Sequence, residues 1–272
     1  MYKNNLTKQK PFLLQLTRLV RLLTGAIIFR KSLPTDFGRT SMYVTSSSNI
    51  RYLIPGFLFA ANDLLTVARK YVQPGQIIWD IGSNLGIFSF CAAFKTGKDG
   101  HVFSLEANPK YAELQNRSVQ RLAPGCAPVT VLCAAMANAI SLAELNVSRR
   151  GEAKNFLSSS AIQYPPDEII SKLQVVSLTG DFLLQHWGRP DFVKIDIEGA
   201  ELMALKGSNT LLREIRPIFY IEVIPANQAE ATSLFLEYGY KLYALEQDGT
   251  ERAVDHCHFN TLAVPSEKII SS

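Results

Sequence analysis

Several things are scarce in this sequence, and each scarcity excludes a class of protein. Cysteine is one: Cys91, Cys126, Cys133 and Cys257 are scattered, with no CxxC pair among them. That spacing argues against a zinc site or a disulfide framework and suits a reducing cytoplasm, with four free thiols. Charge of one sign is another. With 28 basic and 24 acidic residues the net charge is +4, too small to argue for nucleic acid unless the basic residues cluster on a binding face. Long apolar runs are missing too. Arg18 and Arg21 interrupt the most apolar early stretch, so no run reaches the ~20 residues that a membrane span needs. The early basic residues are spread out and no small-residue cleavage site follows, which fits a signal peptide poorly. No internal repeat is visible.

What is present is an ordinary globular composition, 47% apolar and 19% charged over 272 residues. That is enough chain for one large α/β domain with an N-terminal extension. The extension, residues 1–70, is expected to be helical, with the main domain over 71–272. Lys3, Lys8, Lys10, Arg18, Arg21, Arg30 and Lys31 precede the first acid, Asp36, and Leu13, Leu16, Leu19, Val20, Leu23 and Ile27 recur between them at helical spacing. Two readings stand: a basic amphipathic helix giving peripheral membrane contact through residues 10–31, or a first helix packed on the main domain.

From about residue 75, apolar β-rich runs alternate with helical patterns. Ile77–Ile81, Val102–Leu105, Val129–Cys133, Phe192–Ile195, Ile218–Val223 and Tyr240–Leu245 read as strands. Ile87–Lys95, Lys110–Arg121, Thr179–His186, Ala200–Glu214 and Gln228–Glu237 read as helices. Such alternation implies βαβ units and a doubly wound, mostly parallel sheet. Asn260–Val264 reads as a last strand, antiparallel at the edge. Ser148–Asp167, with Arg149, Arg150, Gly151, three serines and Pro165-Pro166, has no period and reads as a long surface loop of the functional kind.

Three places carry chemistry. The first is Ile77-Ile78-Trp79-Asp80-Ile81-Gly82-Ser83-Asn84-Leu85-Gly86, an apolar strand turning through glycines into a helix. Glycine serves where backbone bends sharply or approaches a ligand, and the helix start offers unpaired amides. The dinucleotide pattern GxGxxG needs a middle glycine that is missing here, and no Lys-Ser or Lys-Thr closes a P-loop. Asp80 suits a cationic ligand, such as the amino group or sulfonium of S-adenosylmethionine. The second is Glu106, 20 residues after Gly86, an acid at the next strand tip able to accept from ribose hydroxyls. The third is Lys194-Ile195-Asp196-Ile197-Glu198-Gly199-Ala200-Glu201, where Asp196, Glu198 and Glu201 would repel one another without a partner. One of them is a candidate general base. Glu222, in an apolar strand, is expected to face the same sheet edge. His256 and His258 form a His-x-His pair, and a surface or edge-strand role is expected for them.

These motifs resemble those of the FkbM family of S-adenosylmethionine-dependent methyltransferases over about Pro74 to Pro265. The Lys-Ile-Asp-Ile-Glu-Gly-Ala-Glu stretch is the most specific part. The resemblance implies a class I methyltransferase fold, Rossmann-like, with seven strands and an antiparallel last strand. It implies S-adenosylmethionine as cofactor and O-methylation of a sugar, glycan or natural-product acceptor. Asp80, Gly82, Ser83, Asn84 and Gly86 would form the cofactor turn, Glu106 would bind ribose, and Asp196, Glu198 and Glu201 would lie at the methyl-transfer end. Where related sequences often carry Ser-Asp after the third strand, this one has Ala137-Asn138, and Asn138 would contact adenine. Whether a carboxylate takes the proton directly or a divalent metal lowers the acceptor's pKa stays open. The rival readings are an NAD-type oxidoreductase, a nucleic-acid methyltransferase and a non-catalytic adaptor. No nucleic-acid partner is expected.

Overall fold

A computed structural model describes residues 27–48, 62–149, 154–162, 164–246 and 249–268. The described chain opens with an antiparallel hairpin, β1 (Ile28–Ser32) and β2 (Ser41–Thr45), turned through Thr35–Phe37 and the left-handed Gly38. The helix expected across residues 1–70 therefore does not extend over residues 28–45. The period there is two: Met42 and Val44 point inward while Ser41 and Tyr43 stay half-exposed, the alternation of a strand. The basic amphipathic stretch ahead of Ile27 lies outside the described residues. Helix α1 (Asn62–Tyr71) follows.

Two βα units come next: β3 (Ile77–Ile81), α2 (Ile87–Thr96), β4 (His101–Glu106), α3 (Pro109–Val119) and β5 (Val129–Cys133). Helix α3 starts where the sequence marks it. Asn108 accepts from the Lys110 amide and Pro109 takes the first turn, an N-cap followed by a residue whose missing N–H costs nothing there.

The stretch expected to be a long loop, Ser148–Asp167, connects the strands of a second sheet and, among its described residues, adds to that sheet only the end of one strand and one two-residue strand. Strands β6 (Ala135–Met136), β7 (Ser141–Ser148), β8 (Phe156–Leu157) and β9 (Ile169–Leu178) pair in the order β6-β9-β7-β8. β7 and β9 run antiparallel from Ser141↔Ser177 to a bulge after Val147. Glu144, Asn146, Lys172 and Gln174 interleave with Leu145, Leu173 and Val175 along this pair. Polar residues on one face of a half-covered sheet hide its strands in a search for apolar runs.

The chain then returns to the main sheet through α4 (Gly180–Trp187), β10 (Phe192–Ile195), α5 (Glu201–Lys206), β11 (Ile218–Glu222), α6 (Gln228–Glu237), β12 (Tyr240–Leu245), β13 (Glu251–Val254) and β14 (Asn260–Pro265). The single helix expected over Ala200–Glu214 breaks after Lys206. Gly207 presses on the second sheet, where an added Cβ would lie 2.3 Å from the Ala137 carbonyl oxygen. Asp181 then captures the amides of Thr210 and Leu211, and Leu211–Ile215 closes as a π-turn.

The main sheet has eight strands, in the order β13-β12-β14-β11-β10-β3-β4-β5. β14 is antiparallel, as expected, but it sits between β11 and β12, not at the edge. β13 adds the eighth strand, pairing antiparallel with β12. Apolar layers cover both faces. Ile78, Phe88, Phe90 and Phe192 join Phe37, Met42 and Val44 of the hairpin on one side; Trp79, Ile81, Val193, Ile195 and Phe219 pack with Leu183, Leu205 and Phe235 on the other. Among the described residues, no helix is long and apolar enough to cross a membrane.

The functional consequence lies in the strand order. From β3 the chain moves outward to β4 and β5, then crosses back to β10 on the other side of β3. The crevice at the carboxyl ends of β3 and β10 is the point where winding reverses, and ligands of open α/β sheets bind there.

Candidate active site

Sheet register creates the base of the site. One row across the strands reads Ser104, Asp80, Lys194, Tyr220, all on one face and all buried. Lys194 Nζ lies 3.1 Å from Asp80 Oδ1 and 3.5 Å from Asp196 Oδ2, and donates to the Gly82 carbonyl at 2.9 Å. Burial alone would lower the Lys194 ammonium, but the carboxylates of Asp80 and Asp196 overcome it and hold it above the usual lysine range. A buried charge survives when it is paired. Asp80 Oδ2 in turn accepts from Ser89 at 2.6 Å. Asp80 is thus a fully buried anchor beneath the cavity and does not line it, contrary to the expectation that it meets the cationic ligand directly.

The glycine turn stands on this base. Gly82 has φ +73°, and a Cβ there would fall 1.9 Å from the Asp196 carbonyl oxygen. The need for glycine is the contact between the ends of β3 and β10. Gln115 reaches in from α3, donating to Ser83 Oγ at 2.8 Å and to the Asn84 carbonyl at 2.7 Å, while its own oxygen accepts from Ser104. Asn84 takes the left-handed conformation at φ +53°. Gly86 is absent from the cavity wall; its φ of +84° and an added Cβ at 2.8 Å from the Phe90 ring make it a packing requirement.

Glu106 closes the far side. Its two oxygens accept from the amides of Asn84 at 2.7 Å and Asn108 at 2.8 Å, and burial pushes its carboxyl up to about 7. A carboxylate offers about four acceptor positions, so lone pairs remain for ligand hydroxyls. Asn138, expected to contact adenine, is exposed and does not line the cavity, whereas Ala107, Ala134, Ala135 and Met136 do.

At the other end, Asp196, Glu198 and Glu222 line the same cavity as Gly82, Ser83, Asn84 and Glu106, a space of about 320 Å³. Glu198 sits at φ +46°, an uncommon place for a side chain with a Cβ, and such strain gathers at functional sites. Burial pushes its carboxyl up to about 7. Burial, with Asp196 close by, holds Glu222 well above the usual carboxylate range. Glu201 is turned away from the cavity. It accepts from the Gly199 amide at 2.7 Å and from Asn227 Nδ2 at 3.0 Å, so it holds the turn that presents Glu198. Burial raises its carboxyl against those hydrogen bonds.

Sequence reasoning overlooked Lys194, although a lysine inside an apolar strand between acids signals a buried pair. It also overlooked Ser48 and Leu64, which reach the cavity from before β3, while Asn155, Phe156 and Leu157 reach it from the Ser148–Asp167 stretch that was read as functional without any residue being singled out. His256 and His258 stack on each other at 4.8 Å, away from the cavity, with His256 on Asp255. All four cysteines are free. Among the described residues no group of three or more His, Cys, Asp or Glu could hold a metal.

A sheet of this order, with a glycine turn and acids at successive strand tips around one cavity, defines a class I methyltransferase. The sequence pattern of the methyltransferase FkbM domain matches residues 80–242, and the chain belongs to that family. S-adenosylmethionine is its cofactor. The cavity fits that group: among the described residues carboxyls dominate its charged lining, Lys194 there is engaged, and Glu106 retains acceptor capacity. The hexuronic acid methyltransferase AglP of Haloferax volcanii is 24% identical over 156 residues, covering 56% of this chain and 58% of the relative. The chain thus spans a little over half that relative's length. Similar solved structures include a methyltransferase FkbM from Methylobacillus flagellatus KT, at 17% identity, 69% and 43% coverage of this and that chain, and TM-score 0.46. Another is a precorrin-6y C5,15-methyltransferase from Geobacter metallireducens, at 15% identity, 77% and 88% coverage, and TM-score 0.44.

Proposed function

We propose that this chain methylates a hydroxyl oxygen on a sugar, glycan or natural-product acceptor. The observation that supports the reading is the shared cavity: Asp196, Glu198 and Glu222 open onto the space walled by the Gly82–Leu85 turn and Glu106. When bound, S-adenosylmethionine supplies a methyl group on a sulfonium, reactive enough to need alignment more than activation. The turn and Glu106 orient that group; the walls exclude water. Glu198, with its carboxyl at about 7, is poised to accept the hydroxyl proton near neutral pH, where a general base works best. Asp196, beside Lys194, orients the hydroxyl. Glu201 is a positioning residue, not a base.

The likeness to a hexuronic acid methyltransferase favours a sugar-type acceptor. A neutral hydroxyl suits the lining better than an acceptor carboxylate does, because the cavity already holds several carboxyls and, among the described residues, Lys194 of its lining is engaged by Asp80 and the Gly82 carbonyl and Lys154 lies beside Glu198 at 3.9 Å. The same acidity disfavours a nucleic-acid backbone.

The test is labelled-methyl transfer from S-adenosylmethionine to a panel of neutral hexosides and matched hexuronides, with Glu198→Gln beside wild type. Ether products on neutral sugars, with kcat lowered roughly 100-fold or more in the variant and cofactor affinity kept, are expected. Methyl esters on hexuronides alone would overturn the hydroxyl reading.

A further inference from the structure

The family pattern begins at residue 80, yet part of the cofactor corner comes from earlier in the chain. Ser48, three residues past β2, is 2% exposed and lines the cavity. Its Oγ donates to Asn84 Oδ1 at 2.6 Å. The stretch leading to it is anchored: Lys110 Nζ donates to Ser47 Oγ at 2.8 Å, and Ser47 Oγ lies 3.2 Å from Thr45 Oγ1.

The contact matters because of what else Asn84 does. Its amide is spent on Glu106 and its carbonyl on Gln115, so the backbone is fixed on both sides. The side-chain amide alone retains a choice. An amide presents either two donors or an acceptor, depending on which way it is turned. With Oδ1 held by Ser48, the NH₂ group is the free end, and among the described residues it has no protein partner. A donor there joins the unpartnered Asn155 Nδ2 in a lining otherwise rich in carboxyls, those of Glu106, Asp196, Glu198 and Glu222.

We propose that Ser48 is a positioning residue for cofactor binding: its hydrogen bond to Asn84 Oδ1 holds the Asn84 side chain in place at the cavity wall and leaves the NH₂ group to donate to the cofactor. The site is therefore completed by a segment outside the family pattern. If Ser48 merely secured the chain after β2, its loss would affect the fold and leave the role of Asn84 untouched.

A double-mutant cycle on the full chain separates these cases. S-adenosylhomocysteine is titrated calorimetrically into wild type, Ser48→Ala, Asn84→Ala and the double variant, with Ser48→Thr as a variant that keeps the hydroxyl. Unliganded melting is followed in parallel. Ser48→Ala is expected to weaken binding about 5- to 10-fold, the loss of one hydrogen-bonded orientation. In the Asn84→Ala background the same change should cost less than 2-fold, and Ser48→Thr should stay within 2-fold of wild type. An unchanged affinity for Ser48→Ala overturns the proposal. So does an equal loss in both backgrounds, because Ser48 would then act without Asn84.

Discussion

Lys194 stands directly opposite Asp80 across the β3–β10 pair, with Nζ 3.1 Å from Oδ1 and both side chains buried. Asp80 sits one layer beneath the cavity, and Lys194, at the cavity wall, extends from Asp80 to the Gly82 carbonyl and the edge of Asp196. Removing one member of such a pair leaves the other charge buried and uncompensated, typically about 3–5 kcal/mol. Lys194→Met should therefore lower stability by about that amount in urea unfolding. Asp80→Asn combined with Lys194→Met should recover part of the loss. A single Lys194→Met variant as stable as wild type would show that the pair contributes nothing.

Glu201 is buried and accepts both the Gly199 amide and Asn227 Nδ2. Glu201→Ala leaves two donors unanswered inside the protein, a loss of roughly 2 kcal/mol or more. The expected signature is a lowered melting temperature and a lowered kcat, with cofactor affinity within 2-fold of wild type. A variant that melts normally but cannot turn over would return Glu201 to the catalytic set.

How much of this was legible follows from what each residue answers to. The βα alternation from Ile77 onward, the glycine turn, Glu106 and the pairing of Asp196 with Glu198 were readable, because apolar strands ending in acids leave a local trace. Asp80 and Glu201 were recognised as important, but their direction was not. Which side of the turn a carboxyl faces depends on Lys194 and Asn227, brought beside them only by register and by the start of α6. The hairpin at Ile28–Thr45 was hidden behind a helical pattern in its neighbour. The second sheet was hidden because Glu144, Lys172 and Gln174 on its open face broke every apolar run. Ser48 carries no local signal at all: a lone serine becomes a cavity wall only through long-range folding.

Asn138 shows the opposite case, a residue chosen by analogy that the fold sets aside. It is exposed and away from the cavity wall formed by Ala134, Ala135 and Met136. Asn138→Ala should leave both S-adenosylmethionine affinity and stability unchanged, the latter within about 0.5 kcal/mol. Met136→Lys is the contrasting variant, since it places a charge against that apolar wall and should abolish measurable binding. Calorimetry on the two decides it, and a loss of affinity above 5-fold in Asn138→Ala would mean that Asn138 turns inward when the cofactor binds.

The carboxyls of the cavity also make stability and binding depend on pH in a direction that can be stated beforehand. Burial pushes Glu106 and Glu198 up to about 7 from an ordinary value of 4.5. Between those values the folded protein holds protons that the unfolded chain has released. More protons on the native state make the slope of stability with pH negative. The unliganded protein should therefore be more stable at pH 5 than at pH 7.5, with Glu222, raised further by burial and by Asp196, extending the decline to higher pH. A bound sulfonium reverses the local balance, because nearby positive charge favours the ionised carboxylates. Binding of S-adenosylmethionine near pH 6 should then release protons, and neutral-sulfur S-adenosylhomocysteine should release fewer. Titration in two buffers of different ionisation enthalpy measures the difference directly, and identical heats in both buffers for S-adenosylmethionine would mean that these carboxyls are already ionised before it arrives.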